Sequence, residues 1–118
     1  MNKMYNRILS KKELGEVFSV APDANFAPMD LARKVWEILQ VETEDLQDAE
    51  QSVQNGVPIF RIHVKHIARR IEGEPSPNMV GRIIHDMGLD DYRVRDGYVV
   101  IYNQDQLEIL ARVLEVVQ

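Results

Sequence analysis

Residues 59–102 read IFRIHVKHIARRIEGEPSPNMVGRIIHDMGLDDYRVRDGYVVIY, and the order of signals along them decides the fold. Ile59-Phe60-Arg61-Ile62 is a short β-rich run behind Pro58, and a proline there admits an edge strand. From about Val64 to Glu72 the apolar residues Val64, Ile67, Ala68 and Ile71 recur at helical spacing, leaving Lys65, His66, Arg69 and Arg70 to point outward. Gly73 supplies a helix-ending residue that tolerates positive φ, and Pro75 prevents continuation. Ser76-Pro77 then restarts a helix, with serine as N-cap and proline in the first turn. Val80, Ile83, Ile84 and Met87 form the buried face of this next helix, and Gly88-Leu89 closes it. Gly81 falls in its interior, where glycine costs about 1 kcal/mol against alanine. Close approach of DNA or of a neighbouring helix would account for it.

Asp96-Gly97 is a two-residue hairpin signal. A turn centred there sets Arg95 opposite Tyr98, Val94 opposite Val99, Arg93 opposite Val100 and Tyr92 opposite Ile101. One face is then Tyr92, Val94, Val99 and Ile101, suited to a core. The other is Arg93, Arg95, Tyr98, Val100 and Tyr102, basic at the tip and aromatic along its length.

Strand, helix, tight turn, capped helix and hairpin in this order resemble the winged helix-turn-helix superfamily of DNA-binding domains. The resemblance covers residues 28–118 and rests on element order and turn chemistry. It implies an α+β fold, mostly α, in which the first strand joins the hairpin as a three-stranded sheet. It also implies that the second helix of the motif presents exposed residues to the major groove while the preceding helix and the wing reach phosphates. Ser76, Asn78, Met79, Arg82 and His85 would occupy the groove. Asn78 is suited to adenine and Arg82 to guanine. Lys65, Arg69, Arg70, Arg93 and Arg95 would contact the backbone, with Tyr98 beside them on the wing.

Upstream, a first helix opens near Pro28–Asp30 and carries Leu31, Val35, Ile38 and Leu39 as a buried stripe, with Trp36 beside it as a core or interface residue. The acidic run 42–54 has Leu46, Ala49 and Val53 at helical spacing, so a second, solvent-facing helix or an extension of the first is expected, ended by Asn55-Gly56. Residues 1–27 form an N-terminal arm with a short capped helix after Ser10 and a break at 21–28. Downstream, Asn103 and Gln106 make a capping box. The final helix has Leu107, Leu110, Ala111, Leu114 and Val117 on one face and a surplus strip of Ile109, Val113 and Val116. That surplus, with the arm, suggests a homodimer.

Composition narrows the function. At 118 residues with 45% hydrophobic content the chain makes one domain with a sizeable core. It has no cysteine, so disulfides, thiolate metal sites and cysteine nucleophiles are excluded. No apolar run has membrane-spanning length, and no signal-peptide pattern opens the sequence, so a cytoplasmic setting is expected. His63 and His66 could share a metal only if both lay on one helix, and no third ligand stands near. No nucleophile elbow, phosphate-binding glycine loop or metalloprotease motif occurs; the expectation is a non-enzyme without cofactor. Net charge is −5, but unevenly spread: residues 1–60 balance to −4, 61–95 to +2 and 96–118 to −3. The only positive segment is the helix-turn-helix and first wing strand, which would steer DNA to that face. Glu72, Glu74 and Asp86 nearby favour the rival expectation, a protein-interaction module that binds no nucleic acid.

Overall fold

The computed structural model describes residues 28–116; the N-terminal arm expected over 1–27 lies outside the described residues. Four helices and four strands follow in the order α1 (Pro28–Glu44), β1 (Glu50–Gln54), β2 (Val57–His63), α2 (Val64–Arg69), α3 (Pro77–Asp86), β3 (Asp90–Val94), β4 (Gly97–Tyr102) and α4 (Gln104–Val113). The sheet is antiparallel with strand order β1-β2-β4-β3, and α2 and α3 lie in the chain between its first hairpin, β1–β2, and its last, β3–β4.

Helix α1 buries Leu31, Val35 and Leu39 of the stripe expected from its 3.6-residue period, while Ile38 is only partly buried and Trp36 is buried beside them. Trp36 is a core residue whose indole N–H donates to the Leu107 carbonyl at 2.7 Å, tying α1 to α4. The helix does extend into the acidic run, as far as Glu44, but the rest of that run is not helical. It forms β1, which pairs with β2 around Asn55-Gly56. Asn55 (φ 53°) and Gly56 (φ 78°) supply the two positive φ angles of a type I′ hairpin turn. The sheet therefore has four strands where three were expected.

Pro58 sits in a strand with neighbours on both sides, against the edge-strand expectation. It is the second pair from a two-residue turn, opposite Val53, where the backbone N–H of an antiparallel pair points away from the partner. Pairing with β4 begins only at Phe60, so the missing N–H breaks no ladder bond.

The buried face of the sheet is Phe60 and Ile62 of β2 with Val100 and Tyr102 of β4. Phe60 lies directly opposite Tyr102, their rings stacked with centroids 5.5 Å apart. The Tyr102 hydroxyl donates to the buried Leu39 carbonyl, and burial pushes its pKa up. This overturns both expectations for the hairpin. Its turn is centred on Arg95-Asp96, with Val94 opposite Gly97, Arg93 opposite Tyr98 and Tyr92 opposite Val99. The inward face holds Val100 and Tyr102, while Tyr92 is exposed. Read alone, the hairpin has its more uniformly apolar face on the other side; pairing with β2 decides otherwise.

Helices α2 and α3 are as expected in kind. Val64, Ile67, Ala68, Val80, Ile83 and Ile84 are buried, as are Ile71, Met87 and Leu89 in the turns that follow. Helix α2 is shorter than read, ending at Arg69, but Gly73 and Gly88 adopt the positive φ expected of them. Ser76 caps α3 by accepting from the Met79 N–H at 3.1 Å.

The reciprocal capping box of Asn103 and Gln106 opens α4. The helix stops at Val113, short of the expected Val117, in a Schellman closure: Glu115 takes φ 57° and the Val116 N–H donates to the Ala111 carbonyl at 2.8 Å. Leu107, Leu110, Ala111 and Leu114 are buried. Val113 and Val116 of the supposedly surplus strip pack against the same core, which narrows the basis for a dimer through this helix.

Candidate nucleic-acid interface

The site is built where α3 faces the end of the β3–β4 hairpin. Asn78, Arg82 and His85 project at i, i+4 and i+7 from the exposed side of α3, because Val80, Ile83 and Ile84 take the opposite side into the core. A groove of about 770 Å³ runs along that strip, lined by Asn78, Gly81, Arg82, His85, Asp86, Asp91 and Tyr98. Tyr98 is 38% exposed and continues the face that buries Val100 and Tyr102. Strand alternation puts Arg93, directly opposite Tyr98, on that same side of the sheet.

The hairpin is fastened in place by its turn. The Asp96 carboxylate accepts from Lys65 Nζ at 3.0 Å through one oxygen and lies 3.2 Å from His63 Nε2 through the other. His63 Nδ1 accepts the Lys65 backbone N–H at 3.0 Å, so this ring caps α2. That bond requires Nδ1 to be the unprotonated nitrogen of the neutral ring, which makes Nε2 the donor to Asp96. The Lys65 ammonium, foremost, and the His63 ring hold the Asp96 carboxyl below its usual range. One histidine thus joins β2, the start of α2 and the β3–β4 turn. The His66 ring stands edge to face with it, centroids 6.3 Å apart, and its Nδ1 lies 3.7 Å from Asp48.

A second cluster fixes the acidic segment. Glu42, with no exposed surface, accepts backbone N–H bonds from Gln47, Asp48 and Ala49 and pairs with Arg70, which also pairs with Asp48. Burial alone pushes the Glu42 carboxyl up; the three amides and the guanidinium overcome it and hold it below its ordinary value. Burial alone would lower Arg70; its pairing with the Glu42 and Asp48 carboxylates overcomes this and raises it.

These contacts sort the residues expected at DNA. Asn78, Arg82, His85 and Tyr98 share the groove, with Ser76 exposed at the start of α3. Arg93 and Arg95 are exposed on the hairpin and Arg69 on α2. Three are placed differently. Met79 is half-buried and packs on the core. Lys65 is committed to Asp96. Arg70 does not point outward but into the body, against Glu42. Helix α2 ends one residue before Arg70, and the buried carboxylate draws the side chain inward. Asp86 and Asp91 also line the groove. A second groove, of about 510 Å³ between the end of α1, β2 and the start of α4, is lined by Glu44 and Asp105 and by no basic residue.

Comparison with known proteins found no matching family model, no matching curated protein and no matching solved structure.

Proposed function

We propose that this chain is a non-catalytic winged-helix DNA-binding protein, a transcriptional regulator or replication-associated factor, with α3 in the major groove and the β3–β4 hairpin on the backbone. The observation that carries the reading is the convergence of Asn78, Arg82 and His85 from α3 with Tyr98 from the hairpin on one groove. An amide and a guanidinium on one exposed helical strip are the side chains that read adenine and guanine edges. The exposed Arg69, Arg93 and Arg95 are the side chains to supply phosphate contacts. The order of the elements supports the same reading: two helices lie between a strand and a hairpin, and that strand pairs with the far arm of the hairpin. Two copies reading two half-sites through the arm and α4 belong to the proposal, with sedimentation equilibrium as the check; a monomer at all concentrations removes that part.

The second reading is a winged-helix module that binds protein and no nucleic acid. It is favoured by Asp86 and Asp91, whose carboxylates line the same groove. One experiment separates the two: selection of duplexes from a randomised library at low salt, followed by titration of wild type and an Asn78→Ala/Arg82→Ala variant. Each lost base contact should weaken binding by about 1–3 kcal/mol. Retention of no duplex, or equal affinity of the variant for a selected duplex, overturns the DNA reading.

A further inference from the structure

We infer that Gly81 is the point at which the backbone of α3 itself meets the DNA, an inference that rests on the DNA reading above. Gly81 is the fifth of ten residues in α3, the part of a helix where glycine is among the least favourable residues. Two ordinary reasons for such a glycine are absent. Its φ is not positive; Gly56, Gly73, Gly88 and Gly97 are the glycines among the described residues that need that freedom. Nor is it required by packing, since a Cβ built there would meet nothing within 4 Å. The neighbouring helix that could have explained it from the sequence does not come close. The fold accepts alanine at this position.

The site does not accept it equally. Gly81 follows Asn78 by three residues and precedes His85 by four, so it lies on their face of the helix, and it lines their groove. It is the centre of the strip. A helix with its side chains is about 10–12 Å across and the major groove about 12 Å wide, so clearance at the innermost position decides how deep a helix seats. A bare Cα there lets α3 approach the base edges by the depth of a side chain and brings Asn78 and His85 within reach together. Gly81 is therefore a positioning residue, and its cost to the helix is offset only in the complex.

The test is Gly81→Ala, read by thermal melting and by titration of a duplex selected by the wild type, with Asn78→Ala as the control for the DNA reading. The expected result has opposite signs: the melting temperature rises by a few degrees while affinity for the duplex falls roughly tenfold or more, the size of one lost base contact. A rise in melting temperature with unchanged affinity overturns the inference; if Asn78→Ala still weakens binding, the DNA reading survives it. A fall in melting temperature shows that the fold needs glycine and overturns the inference as well. A wild type that selects no duplex overturns both.

Discussion

A single buried carboxylate ties the end of α1 to the segment after it and to the end of α2. Glu42 is buried, yet its carboxylate organises the turn between α1 and β1 through three backbone N–H groups and neutralises Arg70. Removing one partner of a buried pair leaves the other uncompensated, so Glu42→Ala is expected to lower stability by about 3–5 kcal/mol in urea denaturation. The pH dependence follows from the depressed carboxyl. A group whose folded pKa lies below its unfolded value stabilises above the unfolded value, and that stability is lost as pH falls through the folded pKa. The ordinary value is 4.5, so wild type should lose stability as the pH drops below it. Glu42→Gln should be weaker at neutral pH and have a shallower acid slope. An equal acid slope in the two proteins would show that Glu42 is not the group responsible.

At the scale of elements, the β3–β4 hairpin is held by its turn as much as by its ladder. Gly97 has φ 141°, and a Cβ there would lie 2.9 Å from Cε1 of His63. That ring is tethered on both nitrogens and has no room to give. Gly97→Ala should therefore destabilise by about 1–3 kcal/mol through backbone strain and overpacking. It should also shift the amide resonances of β3 more than those of β1; a variant as stable as wild type would refute the clamp. Hydrogen exchange should rank the strands. β2 and β4 are paired on both sides along Phe60–Arg61 and Val99–Ile101 and carry the buried face. β1 and β3 are edges with exposed residues on both faces, so their amides should exchange first. Slow exchange along β3 in the isolated protein would mean that another strand covers it.

For the whole molecule, charge is the useful observable. Net charge is −5, yet Arg82 lines the groove and Arg69, Arg93 and Arg95 are exposed. If Arg69, Arg93 and Arg95 each neutralise a phosphate, each alanine substitution should reduce the slope of log K against log salt by about 0.9. It should do so alike for selected and unselected duplexes. Lys65→Ala and Arg70→Ala should behave differently, because both side chains are spent on internal carboxylates. They should act through stability, with little change in salt slope. A salt slope that falls with Arg70→Ala would show that the Glu42 pair opens on binding.

What could be read from the chain alone was local. The Ser76-Pro77 cap, Gly88 and the Asn103–Gln106 box act through their own backbone angles and hydrogen bonds within a few residues. Each did in three dimensions what its chemistry dictates. The α1 stripe and the opposite faces of α3 were legible for the same reason, because helical period assigns sides without reference to a partner. Asn55-Gly56 carried an equally plain hairpin signal, but the helical spacing of Leu46, Ala49 and Val53 competed with it. The turn chemistry prevailed once β1 had a strand to pair with. Tertiary structure decided the rest. The buried face of β4 was set by Phe60 and Ile62 across the sheet. The register of the β3–β4 hairpin accompanies the grip of His63 and Lys65 on Asp96. The direction of Arg70 was set by Glu42, nearly thirty positions earlier in the chain. Such choices depend on which groups meet across the fold, because a strand presents two faces of similar polarity and a long cation can reach either way until a neighbour fixes it.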